Sequence, residues 1–174
     1  MRYILTLFLT FFLTNCVAGM KPEDFKDQKP RLIIEEFLKG DVKAYGILQN
    51  RSGKVTRQFS ADLNGKWDGS QLILDEKFNW SDGEVQTRQW KIIKKNNNYY
   101  EGTAADVVGT AKGYSYGPAF KFEYVLLIPI KGREIKITFD DWIFKQDDKI
   151  AINRATMTKF GIKVAELTVV FQKN

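Results

Sequence analysis

From residue 42 to residue 172, apolar and polar positions alternate in runs of about ten residues, separated by short segments rich in Gly, Asn and Asp. A period of two sends successive side chains to opposite faces of a half-buried strand. The pattern predicts strands over 42–49, 54–63, 71–80, 85–95, 99–108, 112–117, 119–130, 134–145, 148–158 and 163–172. The links Ser81-Asp82-Gly83, Asn96-Asn97-Asn98, Lys131-Gly132 and Gln146-Asp147-Asp148 have hairpin chemistry, which joins antiparallel neighbours. Hairpin-linked strands of this length must pack as two layers or close on themselves. Sandwiches use shorter strands and longer crossing loops, and closure removes the exposed edges. The expectation is an all-β, antiparallel up-and-down barrel of the lipocalin-like (calycin-like) kind, wide enough for a small apolar ligand. Arg31 to Leu38, "RLIIEEFL", forms a short helix or a first edge strand that closes or flanks one end.

Ahead of the barrel, Arg2 precedes an apolar run from Tyr3 to Leu13, too short to span a bilayer, and then Cys16. A positive start, a short apolar core and a cysteine at the cleavage point resemble a bacterial lipoprotein signal. The expected division is a signal peptide over 1–15, a tether over 16–30 beginning at a lipidated Cys16, and one domain over 31–174. Val17 stands where Asp would favour inner-membrane retention, so the outer membrane, facing the periplasm, is the expected location.

Composition narrows the chemistry. Cys16 is the sole cysteine, so no disulfide can form within the domain. The absence of histidine removes the commonest general base, the commonest metal ligand and every Ser-His or Cys-His nucleophile. No catalytic residue, metal or cofactor is assigned. The net charge of +6 is spread over dispersed lysines. It suits anionic head groups or a bound anion and gives no sign of a nucleic-acid partner.

Strand parity puts several charges on the apolar face. Arg57 lies in phase with Val55, Phe59, Ala61 and Leu63, Glu76 with Leu74 and Phe78, and Arg88 with Trp90 and Ile92. Asp141 continues the row of Ile135, Ile137 and Phe139, and Arg154 the row of Ile150 and Ile152. A bulge at Asp140 and Asp141 would exchange those two. Three arginines against two carboxylates leave one guanidinium over, and a buried surplus cation calls for an anion. Arg57, Arg88, Arg154, Glu76, Asp141 and Tyr124 are therefore the candidate ligand contacts, with a structural ion-pair network as the competing interpretation. Gly109, Gly113 and Gly117 mark bends rather than a phosphate loop, and Trp67, Trp80, Trp90 and Trp142 read as core.

The blocks "MKPEDF" (20–25), "DGEVQTRQW" (82–90), "DVVGTAKG" (106–113), "DDW" (140–142) and "NRATMTKFG" (153–161) resemble domain-of-unknown-function family 3833, lipoproteins of Gram-negative bacteria. The resemblance implies an envelope lipoprotein with no catalytic residues to transfer. The leading expectation is a barrel, lipid-anchored to the outer membrane, that binds a fatty acyl chain, a phospholipid or another lipidic anion. A lipid-modifying or isomerising enzyme using Glu76 or Asp141 is the alternative, and a non-catalytic partner in an envelope complex is the third.

Overall fold

The computed structural model describes residues 19–130 and 132–173. The expected signal peptide and Cys16 lie outside the described residues. A 3-10 turn (Pro22–Phe25) and a one-turn helix α1 (Ile34–Phe37) precede ten strands: β1 (Gly40–Asn50), β2 (Val55–Trp67), β3 (Gln71–Trp80), β4 (Val85–Lys94), β5 (Tyr99–Thr103), β6 (Ala111–Tyr116), β7 (Ala119–Ile130), β8 (Arg133–Lys145), β9 (Ile150–Lys159) and β10 (Ile162–Lys173). Each pairs antiparallel with the next, and β1 pairs with β10 to close the barrel. The lipocalin-like barrel read from the alternation is the fold.

The two ends differ. Between β1 and the 3-10 turn, Leu32, Ile34, Phe37 and Leu38 are buried and plug one end. Their backbone passes so close to β2 that a Cβ on Gly65 would come within 1.9 Å of the Leu38 carbonyl oxygen. Glu35 is buried in the plug, accepting hydrogen bonds from Lys94 Nζ (2.5 Å) and Tyr100 Oη (2.8 Å). Residues 31–38 thus resolve as plug and single helical turn rather than edge strand. Part of the segment expected to be free tether is docked: Phe25 packs edge-on against Trp142 (5.9 Å) and Phe144 (5.3 Å) on the outer wall. At the opposite end the hairpins after β1, β3, β7 and β9 surround an open mouth.

One side of the wall is thin. β4 pairs with β3 over nearly its whole length but with β5 only over residues 91–94. β5 ends at Thr103, short of the predicted 108, because the chain turns away there. Gly109 adopts φ +73°, and residues 104–110 attach to β7 through a bridge between Val107 and Leu126. Leu127 N–H also donates to the Asp106 carbonyl (2.8 Å). Among the described residues, 85–90 have no strand partner on that side.

Candidate functional site

The inner face carries a sleeve of large apolar side chains over a polar floor. Phe59, Phe78, Trp90, Phe122, Tyr124 and Phe139 supply most of the aromatic wall; Tyr124 stacks on Phe139 at 4.9 Å and meets Trp90 edge-on at 5.3 Å. Parity puts them inside because β-branched and aromatic residues fit a pleated, half-buried face. Two adjoining spaces result. One of about 400 Å³ opens at the mouth and is lined by Leu48, Trp80, Leu126, Ile137, Met157 and their neighbours. A smaller one of about 100 Å³ lies deeper, above Ile34 and Leu38 of the plug. Both are bounded by Phe59, Phe78, Arg88, Tyr124 and Leu167.

The polar groups gather at that junction. Glu76 and Arg88 are cross-strand partners on β3 and β4. Arg88 reaches across the thin part of the wall to Asp106, donating from Nε and Nη2 at 2.8–3.1 Å, and its Nη1 stands 3.7 Å from Glu76 Oε2. Glu76 Oε2 is buried and has no hydrogen-bond partner. Across the lumen, Asp141 accepts from Tyr124 Oη (2.9 Å) and from Asn153 Nδ2, which also donates to the Trp142 carbonyl. Burial pushes the Glu76 carboxyl up to about 7; the Arg88 charge opposes the shift and the Asp141 and Asp106 charges add to it. Burial likewise raises Asp141 to about 6 against its two hydrogen bonds. Tyr124 is held well above its ordinary value by burial and by the carboxylate beside it.

The structure brings Arg88, Glu76, Asp141 and Tyr124 together and separates the other two candidates. Arg154 is not inside. It projects from the outer wall, 65% exposed, and donates to Glu166. The inner row of β9 is Ala151, Asn153, Ala155 and Met157, because those small residues leave room for the aromatic wall opposite, while Ile152 faces out. Arg57 faces inward but sits at the mouth. It lies 4.0 Å over the Trp80 ring and donates to Asp82 (2.7 Å) and Glu84 (2.8 Å) of the β3–β4 hairpin. It pairs with neither Glu76 nor Asp141. Among the described residues, the junction therefore groups one arginine with three carboxyl groups, the reverse of the surplus cation expected from parity. Two members of the cluster were not singled out from the sequence. Asp106 lies in an irregular segment without a period, and Asn153 alternates with the larger apolar residues Ile150 and Ile152, so parity taken from those two points it outward.

Beside the Arg88–Asp106 pair, an open groove of about 880 Å³ runs along the thin wall between Gln86, Thr87, Ala105, Leu127 and Pro129. Among the described residues no group of three or more Cys, Asp or Glu side chains is arranged to hold a metal ion, and no helix is long and apolar enough to cross a membrane.

No curated protein matches the sequence. Among solved structures, the chain is similar to an S-type phycobiliprotein lyase from Guillardia theta (9% identity, TM-score 0.60, covering 80% of this chain and 90% of that one). It is also similar to a protein of the DUF3598 family with unknown function from Nostoc punctiforme (13% identity, TM-score 0.63, covering 84% of this chain and 51% of that one). Identities this low relate the barrels as folds, with no transfer of activity. The family model described as "Protein of unknown function (DUF3833)" matches residues 10–173, taking in the plug, the ten strands and the polar floor, and the chain belongs to that family.

Proposed function

We propose that the barrel binds a lipidic amphiphile, with its apolar chain in the aromatic sleeve and its polar head at the Glu76–Arg88–Tyr124–Asp141 floor. The observation that carries this reading is the buried Glu76 Oε2 without a hydrogen-bond partner, on a residue that lines the deeper, mostly apolar space, which shares Arg88 and Tyr124 with the space open at the mouth. The larger space lies within the roughly 300–1,000 Å³ typical of small-ligand sites. The head group follows from the charges. Arg88 already holds Asp106 in a two-pronged pair, so an anionic head would have to displace a carboxylate and face two more. A hydroxyl, amide or ammonium head instead donates to Glu76. The lipidic anion expected from three inward arginines has less support once Arg154 lies outside and Arg57 donates from Nη2 to Asp82 and Glu84 at the mouth, where its buried Nε alone has no hydrogen-bond partner.

The test is direct binding of hexadecanol, hexadecylamine and palmitate, followed through tryptophan emission. The first two should bind, and at about pH 8 palmitate should bind at least roughly tenfold more weakly. Preferential binding of palmitate at that pH, unchanged by Glu76→Gln, would overturn the head-group assignment.

A second reading has one specific support. A carboxyl pushed up to about 7 is poised to take and return a proton near neutral pH, so Glu76 is placed to act as acid or base on a bound lipid. Conversion of a bound acyl substrate that fails in Glu76→Gln, while binding persists, would favour it. The N-terminal pattern supports an envelope lipoprotein anchored through Cys16, with the barrel in the periplasm at the outer membrane. Cys16→Ser should abolish palmitate labelling and membrane fractionation.

A further inference from the structure

Among the large exposed apolar side chains, Tyr45, Val170 and Ile152 form a row across β1, β10 and β9 on the outer wall, and five others gather at one end. Val55, Val85, Ile130, Phe160 and Ile162 all stand at the mouth, on the hairpins that surround it. Phe160 is the extreme case, with 92% of its surface exposed. It forms the two-residue turn Phe160-Gly161 between the paired Lys159 and Ile162, and both turn residues have positive φ, 52° and 75°. A turn of that geometry favours Asn-Gly, and a bulky aromatic residue rarely adopts it. Within the described residues the ring has a cation–π contact with Lys159, whose Nζ lies 5.3 Å from the centroid, which is weak at an exposed site and leaves 92% of the residue's surface in water. A local rule broken with so little internal compensation points to an external contact.

The charges around the mouth say what kind. Among the described residues, Arg51, Lys54, Arg133 and Lys159 have no carboxylate within ion-pair distance. Lys163 is paired with Glu166. Of the acidic residues on the same hairpins, Asp82 and Glu84 are held by Arg57, leaving Glu134. Exposed aromatic and aliphatic side chains interspersed with unpaired cations on the same hairpins suit an anionic bilayer surface, where phosphates and acyl chains lie close together.

We propose that the mouth of the barrel docks on anionic phospholipid bilayers, with Phe160 and Ile162 entering the acyl boundary and Arg51, Lys54, Arg133 and Lys159 meeting the phosphates. The docking surface stands on the rim alone and is independent of what the lumen holds. It gives the lumen direct exchange with the membrane, because the opening lies inside the docked ring.

The experiment uses the full chain, reconstituted through its N-terminal segment into phosphatidylcholine vesicles. Phe160→Trp adds an emitter at the tip, and its difference from the unsubstituted chain removes the background of the native tryptophans. Phosphatidylglycerol with brominated acyl chains is placed either in the vesicle that holds the chain or in one added to it. The added tryptophan should be quenched and blue-shifted by brominated phosphatidylglycerol, much less by brominated phosphatidylcholine, and less again as salt is raised. Val170→Trp, on the outer wall, should remain unquenched. Phe160→Asn suits the turn better, so its melting temperature should hold or rise while about tenfold more phosphatidylglycerol is needed for docking. A tip that stays in water against both lipids would overturn the proposal and make the rim a protein contact. Equal quenching by both lipids, equal quenching at position 170, or undiminished docking of Phe160→Asn would overturn it as well.

Discussion

Replacing Glu76 with Gln should flatten the pH dependence of stability, and the size of the effect follows from the environment of that one carboxyl. Burial beside Asp141 and Asp106 raises Glu76 from 4.5 to about 7 despite Arg88. The folded chain thus binds this proton more tightly than the unfolded chain. Its contribution to stability is full below about pH 4.5, is lost as pH rises towards about 7, and is constant above that. At 1.36 kcal/mol per pKa unit the loss amounts to about 3 kcal/mol. Gln keeps the shape and hydrogen-bonding capacity of the neutral acid and cannot ionise. Urea unfolding of the full chain at about pH 4.5 and about pH 8 should show the two proteins nearly equal at the lower pH and Glu76→Gln more stable by about 3 kcal/mol at the higher. The Asp141 contribution, spanning 3.8 to about 6, remains in both and cancels in the comparison. Parallel pH profiles, or a glutamine variant weaker at both pH values, would refute the reasoning. Glu76 would then be either solvated or held charged by Arg88.

Arg88→Met should strand Asp106 and Glu76 and lower unfolding free energy by about 3 to 5 kcal/mol, measured by urea titration at neutral pH. Arg57→Met removes a guanidinium whose partners are more than half exposed, so its loss should stay near 1 kcal/mol in the same assay, including the stacking on Trp80. Arg154→Met should change stability by no more than about 0.5 kcal/mol and leave lumen binding of hexadecanol intact. Tyr124→Phe takes one hydrogen bond from Asp141, so the carboxyl should titrate still higher, read by carbon-13 NMR of the side chain, with a loss of about 1 to 2 kcal/mol.

Alternation and turn chemistry made nearly the whole barrel legible, because a strand with one face buried must keep its period and its hairpins must supply positive φ. Most strand bounds fall within two residues of their predicted places. The errors have a common source. In β9 both faces carry apolar residues, Ile150 and Ile152 on one and Ala151, Ala155 and Met157 on the other, so parity alone could not say which row was inside. Size decides it: small residues fit opposite the aromatic wall. Choosing the larger residues put Arg154 inside and Asn153 outside. Parity places Arg57 on the correct face but carries no information about depth, and at the third residue of β2 the inner face is already the mouth. Asp106 escaped because it acts from an irregular segment, where only the three-dimensional path of the chain brings it to Arg88.

The even number of strands has a consequence for how the protein can be held. A meander of ten strands returns the chain to the pole from which it set out, so the plug, the start of β1 and the end of β10 share one end and the mouth occupies the other. An attachment at either terminus therefore works like a stem under a cup. The rim is carried outward by the height of the wall, roughly 30 Å for tilted strands of this length. A chain fixed through its N-terminal segment presents its opening to whatever lies across the gap. The surface that supplies or receives a lumen ligand is then a different one from the surface on which the chain stands, and tags or immobilisation at either terminus leave the opening unobstructed.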